Sequence, residues 1–365
     1  MLIGIDASRT AKQLKTGTET YSTELIKALG KIDRQNEYIL YTPKPISDKL
    51  PDLPKNFSYK ILPFGKLWTQ IRLSWEMLTG PNPDVLFVPA HTLPLISSNK
   101  TVVTLHDLGF KHFPELYLTV DLRYHNWAMG HSIRHASHII AISSFTKKDI
   151  LRYYLIDPEK ITVIYEGYDE NEFKPLKVKT AYKPYIFFIG RLEEKKNIVG
   201  MIKAYALLRQ EKEIKHQFIL AGNPGFGFDK IIAEINRLPA EIKKDIILPG
   251  YISQEKYLEY LQNADILFFC TFFEGFGLPP LEAMASGIPV VASNRTSIPE
   301  VCGKAASLVN PDKPFEMAAA LSKIINDGST RKALISKGLA RAGLFSWRKC
   351  AEKTLEVIEK VYNSK

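Results

Sequence analysis

Cysteine is scarce in this 365-residue chain: Cys270, Cys302 and Cys350 are the whole supply, an odd number without metal-ligand spacing. That excludes a disulfide framework and a zinc cage, and it fits a reducing cytoplasm. Long apolar runs are missing too, since none reaches the roughly 20 residues that cross a bilayer. The opening MLIGIDASRT carries no basic n-region followed by an apolar core and cleavage site, so no secretory signal is expected. Any membrane contact is therefore expected to be peripheral.

Acidic residues are outnumbered, 39 against 49 basic ones, for a formal net charge of +10. The excess is uneven, because residues 1–170 carry 20 basic and 18 acidic side chains and most of the surplus follows. A positive field attracts a diphosphate or an anionic membrane face, and it serves solubility equally well. Nucleic acid is not an expected partner, because no basic recognition helix, RNP pattern or finger spacing is present. Seven of the eight histidines precede residue 140, again without a coordinating pattern, so no metal site is expected.

Short apolar strands separated by helical text fill the remainder. LIGIDAS, EYILYT, VLFVPA, TVVTLHD, HIIAISS and ITVIYEG form a first set, with a helix over 19–29. YIFFIG, QFILAG, DIILPG, DILFFC and IPVVAS form a second. Such alternation predicts two doubly wound α/β domains with parallel sheets. We place the first domain at 1–172, a linker at 173–184, the second domain at 185–345 and a terminal helix at 346–365, capped by Ser346. The proline- and aromatic-rich interval 43–80 has no regular pattern. It reads as a packed connector, with a flap or acceptor surface as the other choice; its Phe, Trp and Tyr side chains suit either a core or a lipid contact.

The densest signal is FFEGFGLPPLEAMASGIPVVAS, residues 272–293. A buried strand precedes it, Glu274 follows in the loop, and a helix starts at Leu278 or Pro279 with Glu282 near its first turn. Free amides at that helix start suit an anion, and a carboxylate nearby accepts hydrogen bonds from hydroxyls. A phosphorylated sugar fits the combination.

These residues, with the strand-end GR of Gly190 and Arg191 and the EKK run through Lys196, resemble the retaining nucleotide-sugar glycosyltransferases of family 4, in a mannosyltransferase-like branch. The resemblance spans almost the whole chain and is most specific in its second half. It implies a GT-B fold, two Rossmann-like domains facing across a cleft, with the final helix crossing back to the first. It also implies that Arg191 and Lys196 hold the donor diphosphate, with Lys195 turned to solvent. Glu274 would sit by the hexose 3-hydroxyl, Glu282 on the ribose, and the amides of Phe276, Gly277 and Leu278 at the diphosphate and sugar. Tyr251 and Ile252, after Gly250, would receive the nucleobase, Tyr251 serving equally well as core. Gly222 would belong to a nucleotide-side loop or a plain turn. In the first domain, His106 would reach the 6-hydroxyl, and Gly17 the diphosphate, although GTETY lacks the family's second glycine. Ser143 and Ser144 would orient ligand or cap a helix.

YEG at 165–167, where many members of that family have asparagine-glycine, resembles the mannosyltransferase-like branch, and this resemblance shifts the expected donor to GDP-mannose. The implied activity is a metal-independent transfer of hexose to a glycan or lipid-linked acceptor, with no obligatory cofactor. UDP-sugar-dependent glucosyl or galactosyl transfer and non-catalytic sugar-nucleotide binding are the alternatives. Nothing in the sequence sets an oligomeric state or excludes peripheral contact with the cytoplasmic membrane face.

Overall fold

The computed structural model describes residues 1–12, 16–177, 182–211 and 214–364. They form two compact units, Met1–Gly167 together with Ser346–Lys365, and Tyr168–Phe345.

The first unit is built on seven strands: β1 (Leu2–Asp6), β2 (Glu37–Thr42), β3 (Phe57–Ile61), β4 (Val85–Val88), β5 (Thr101–Leu105), β6 (His138–Ala141) and β7 (Ile161–Val163). All pair in parallel, in the order β3-β2-β1-β4-β5-β6-β7. VLFV and TVVTL are buried along their full length, because helices cover both faces of such a sheet. The strand order reverses direction between β1 and β4, and doubly wound sheets bind ligands at the carboxyl ends of strands beside such a switch.

Two features of the 43–80 interval escape the sequence pattern. Its FSYKI segment forms the edge strand β3, where only Phe57 is buried, against Tyr38 at 4.0 Å. A π-helical turn, Thr69–Leu73, then runs into a short α-helix, Ser74–Thr79.

The second unit holds β8 (Tyr185–Ile189), β9 (Gln217–Ala221), β10 (Ile246–Gly250), β11 (Ile266–Phe269), β12 (Val290–Ser293) and β13 (Ser307–Val309). The order is β10-β9-β8-β11-β12-β13, again all parallel, with the switch between β8 and β11. β13 is three residues long, too short to show in the sequence pattern.

The division of the chain falls at Gly167, ahead of the expected 172. Phe173 is buried with its ring 5.9 Å from Tyr257, and the Gln262 side chain donates to the carbonyls of Glu172 and Lys174. Those residues belong to the second unit, and 178–181 of the expected linker lie outside the described residues. The Trp347–Asn363 helix starts at Ser346, whose hydroxyl accepts the Lys349 amide at 3.2 Å. Trp347, Cys350, Ala351, Thr354, Val357, Ile358 and Val361 are its buried residues, a helical stripe that packs on the Gly17–Ile32 helix and on β4, β5 and β6.

Candidate active site

In the second unit, the loops after β8 and β11 bring the two principal charges together. Lys196 Nζ lies 2.7 and 2.8 Å from the two Glu274 carboxylate oxygens, with both side chains largely buried. Lys196 ends a 3-10 turn, Glu194–Lys196, after which Asn197 takes a left-handed conformation (φ 56°). The buried Asn197 amide donates to the carbonyls of Cys270 (3.0 Å) and Pro311 (2.7 Å), fastening the loops after β11 and β13 to the turn after β8. The Phe272 amide also donates to the Lys195 carbonyl at 3.0 Å. This cross-bracing lets two flexible side chains meet in a fixed place.

Glu274 is held at its backbone as well. Its amide donates to Thr296 Oγ1 at 3.2 Å, and Ser297 Oγ lies 2.9 Å from the Glu274 carbonyl and 2.7 Å from that of Phe276. Gly277 follows with φ 122°, a conformation strained for any side chain, and a Cβ there would come within 2.8 Å of Ile298 Cδ1. It begins the Leu278–Ala285 helix, with Pro279 and Pro280 in the first turn, where the missing N–H groups cost nothing. Phe276 is buried with its ring 6.0 Å from Phe345, so only its backbone faces the loop. Glu282 lies one turn into the helix, 8% exposed, and accepts the Tyr257 hydroxyl. Burial, then the Glu282 charge, pushes the Tyr257 phenol well above its ordinary value.

Three glycines line the ends of adjacent strands β8, β9 and β10. Gly222 (φ 145°) passes so close to Gly190 that a Cβ would lie 1.9 Å from the Gly190 carbonyl oxygen, and its amide donates to the Gly250 carbonyl at 2.8 Å. Leu192 then bonds Asn223 and Gly225 through its backbone. Gly222 therefore performs a packing task whatever else it does. Arg191 is exposed, its guanidinium 3.8 Å from Glu193. Tyr251 is 52% exposed and so is not core, while Ile252 is half-buried.

In the first unit the strand ends gather a second polar group. His106, after β5, is buried; its Nε2–H donates to the Pro89 carbonyl at 3.0 Å and its Nδ1 lies 3.5 Å from Glu166. Tyr21 stands edge-on to the ring at 4.8 Å. The His106 amide meets His91 Nδ1 at 3.4 Å. Burial raises the Glu166 carboxyl, with His106 partly offsetting the rise. Burial, then the nearby His106, drives His91 down to about 3, which keeps that ring neutral. Gly17 is the first residue of its helix, with open space where a Cβ would be. Glu19, at the place of the absent second glycine, accepts the Thr16 amide at 3.1 Å and binds Arg9 (3.3 Å) and Lys12 (3.6 Å). Although burial works to raise its carboxyl, Thr16 and these two cations outweigh it and lower it.

Comparison with known proteins matches residues 169–341 to the family described as glycosyl transferases group 1 and residues 15–172 to glycosyltransferase family 4. The chain is 30% identical over 384 residues to the O-antigen chain mannosyltransferase B of Escherichia coli, covering 96% of this chain and 98% of that one. The chain belongs to glycosyltransferase family 4. The MMP alpha-(1->4)-mannosyltransferase of Mycolicibacterium hassiacum is likewise 30% identical, across 62% of this chain and 55% of its own length. Among solved structures, sucrose-phosphate synthase from Thermosynechococcus elongatus superposes with a TM-score of 0.79 at 18% identity, covering both chains fully. That likeness establishes the GT-B fold.

Within this family 4 glycosyltransferase, Gly190, Arg191, Lys196, Glu274, Phe276, Gly277, Leu278 and Glu282 all fall on the loops or helix start that flank the β8/β11 switch. Gly222, Tyr251 and Ile252 follow the neighbouring strands. Lys195 departs from expectation: its side chain is 22% exposed and its ammonium lies 3.3 Å from Glu193, because the 3-10 turn folds it inward. Ser143 is a helix cap that accepts the Thr146 amide at 3.0 Å. Sequence reading missed Tyr257, Thr296, Ser297 and His91. For Thr296 and Ser297 the available signal was a pair of hydroxyl residues just after β12; Tyr257 lies within ordinary helical text. Among the described residues, no three His, Cys, Asp or Glu side chains are grouped to hold a metal ion.

Proposed function

We propose that this glycosyltransferase moves mannose from GDP-mannose to a hydroxyl of a glycan or lipid-linked acceptor, with retention at the anomeric carbon. The observation that carries the reading is the Lys196–Glu274 pair at the β8/β11 switch, a cation suited to the diphosphate joined to a carboxylate suited to sugar hydroxyls. The two relatives named as mannosyltransferases support the sugar assignment.

In the proposed reaction the acceptor oxygen attacks C1 from the face that the diphosphate leaves. The C1–O bond to the diphosphate breaks, a new C1–O bond forms, and the acceptor proton passes to a diphosphate oxygen. Arg191, Lys196 and the amides of Phe276, Gly277 and Leu278 stabilise the departing GDP, as preorganised donors do for developing anions. Glu282 takes the ribose hydroxyls, and Tyr251 and Ile252 border the base. Glu274 orients the hexose. A 6-hydroxyl that reaches His106 replaces either the Pro89 carbonyl or Glu166 as partner of the ring, and Gly17 offers backbone to the phosphates. The charge neutralisation is assigned to side chains, with no obligatory metal or cofactor. The reaction is placed in the cytoplasm, with the protein peripheral at the inner face of the membrane.

A metal-free titration with GDP-mannose, GDP, UDP-glucose and ADP-glucose tests the donor. Preferential binding of GDP-mannose is the expected result, and preference for a UDP- or ADP-sugar overturns the assignment.

A further inference from the structure

The backbone of His106 is clamped on both sides. Its amide meets His91 Nδ1 at 3.4 Å, and its carbonyl accepts Thr146 Oγ1 at 3.1 Å. The ring is left free only to turn, and two groups govern that turn: the Pro89 carbonyl at Nε2 (3.0 Å) and the Glu166 carboxyl at Nδ1 (3.5 Å). Glu166 reaches the ring because pairing continues past the end of β7, where the Ile164 amide donates to the Ala141 carbonyl at 3.0 Å. Alternation then buries Ile164 and Glu166, while Tyr165 between them is exposed.

A count of protons follows from these contacts. A carbonyl oxygen can only accept, so Nε2 carries a hydrogen whatever the charge of the ring. In a neutral imidazole Nδ1 then bears a lone pair, which an ionised carboxylate facing it would repel. One further proton must lie between Glu166 and Nδ1. Either a neutral acid donates it to the ring, or an imidazolium donates it to a carboxylate.

The surroundings favour the neutral arrangement. Tyr21, from the Gly17–Ile32 helix, stands edge-on to the ring, and burial, then Cys350, drives its phenol well above the ordinary value. Cys350, from the terminal helix, is raised too, by burial and then by Glu166. His91 is held neutral. None of these three neighbours offers a charge to compensate an ion. An imidazolium and a carboxylate would both be buried there, and a contact as long as 3.5 Å repays little of the desolvation. A neutral acid beside a neutral ring avoids that cost, and burial raises the Glu166 carboxyl in the same sense.

We propose that Glu166 is a positioning residue for His106: as an un-ionised acid it donates to Nδ1, fixes the Nε2–H tautomer and holds the ring in place. At rest the ring has two bonds to the protein. A sugar hydroxyl takes the Nε2–H by displacing the Pro89 carbonyl, and the Glu166 bond then keeps the imidazole from swinging. Of the two exchanges open to His106, the one at Pro89 is thereby selected. The inference deepens the role proposed above for His106 and rests on it for the effect on transfer, while the location of the proton is independent of the donor.

The test is nitrogen NMR of the full chain, isotope-labelled in histidine and held at neutral pH, with the His106 signals assigned by their loss in His106→Gln. The expected spectrum has a protonated Nε2 and, at Nδ1, a hydrogen-bonded imine nitrogen. Glu166→Leu, apolar and similar in size, should move Nδ1 to the shift of an unbonded imine and lower kcat for hexose transfer about tenfold or more. Glu166→Gln, whose amide donates in place of the acid, should restore the bonded shift and recover most of the lost turnover. Two protonated ring nitrogens in the wild type, or an Nδ1 shift indifferent to Glu166→Leu, overturns the proposal. So does a Gln variant as impaired as the Leu variant. Should Glu166→Leu fail to fold, the wild-type spectrum and Glu166→Gln decide. The donor reading fails separately, when a wild type with the expected Nδ1 signal neither binds nor uses GDP-mannose.

Discussion

The Lys196–Glu274 ion pair makes the proposed donor site a competition, and that has a measurable signature. At an effective dielectric constant near 20, opposite charges about 4 Å apart attract by about 4 kcal/mol before desolvation. A diphosphate that takes Lys196 must displace part of that attraction from Glu274. Removing the cation by Lys196→Ala deletes a charge-assisted bond worth about 1.5–3 kcal/mol, which weakens GDP binding by roughly 10- to 150-fold. Glu274→Gln removes the competitor and leaves Lys196 free, so GDP itself should bind as well as before or up to about tenfold more tightly. The same change removes the carboxylate proposed to orient the hexose, and turnover of GDP-mannose should fall by about 10²-fold or more. Isothermal titration with GDP and a transfer assay, run on both variants after thermal melts confirm folding, give the comparison. Opposite effects on GDP binding are the expected pattern. Equal weakening in both would mean that the pair is a structural strut, and unchanged GDP affinity in Lys196→Ala would remove Lys196 from the diphosphate site.

Other parts of the molecule respond in distinct ways. Gly222→Ala should cost at least about 2 kcal/mol, through both its φ and the clash with the Gly190 carbonyl; an unchanged denaturation midpoint would refute the packing role. Glu282→Ala should weaken GDP roughly 10- to 100-fold, and the variant should no longer distinguish GDP from its 2′-deoxy form; a retained preference for ribose dismisses the contact. His138, whose Nε2 lies 2.8 Å from Thr162 Oγ1, is lowered to about 4 by burial and then by Lys360, Lys147 and Lys160. The unfolded chain therefore takes up this proton first. Stability should fall as pH drops from about 6.5 toward 4, and His138→Gln should reduce that slope in acid denaturation; an identical slope speaks against it.

Much of the architecture was legible because a strand buried on both faces leaves an uninterrupted apolar run, as in VLFV, TVVTL and ILFF. The edge strand β3 was not legible, since FSYKI buries one side chain and pairs on one side only, with β2. β13 was hidden by its three-residue length. Around the site, glycine, proline and paired glutamates stand out because the turn after β11 needs a positive φ and a proline-tolerant helix start. The partners of those residues are different. Tyr257 meets Glu282, and Ser297 meets two loop carbonyls, only after separate helices and strands have packed. Lys195 illustrates the same limit, since its inward direction is set by the turn geometry and by Glu193.

The Trp347–Asn363 helix completes the core of the first unit, yet it follows the whole second unit in the chain. Gly167 and the start of that helix meet so closely that a Cβ on Gly167 would lie 2.1 Å from the Trp347 nitrogen; the outgoing and returning passages thus run side by side. During synthesis, the second unit has all of its residues as soon as Phe345 emerges from the ribosome. The first unit, most of it translated earlier, must wait with the side of the Gly17–Ile32 helix that meets Trp347–Asn363 uncovered until that helix appears. Completion of the first unit is therefore gated by residues made after the whole second unit, and a nascent chain stalled between Phe345 and Asn363 presents chaperones and proteases with an unfinished first unit and a second unit that has all of its residues.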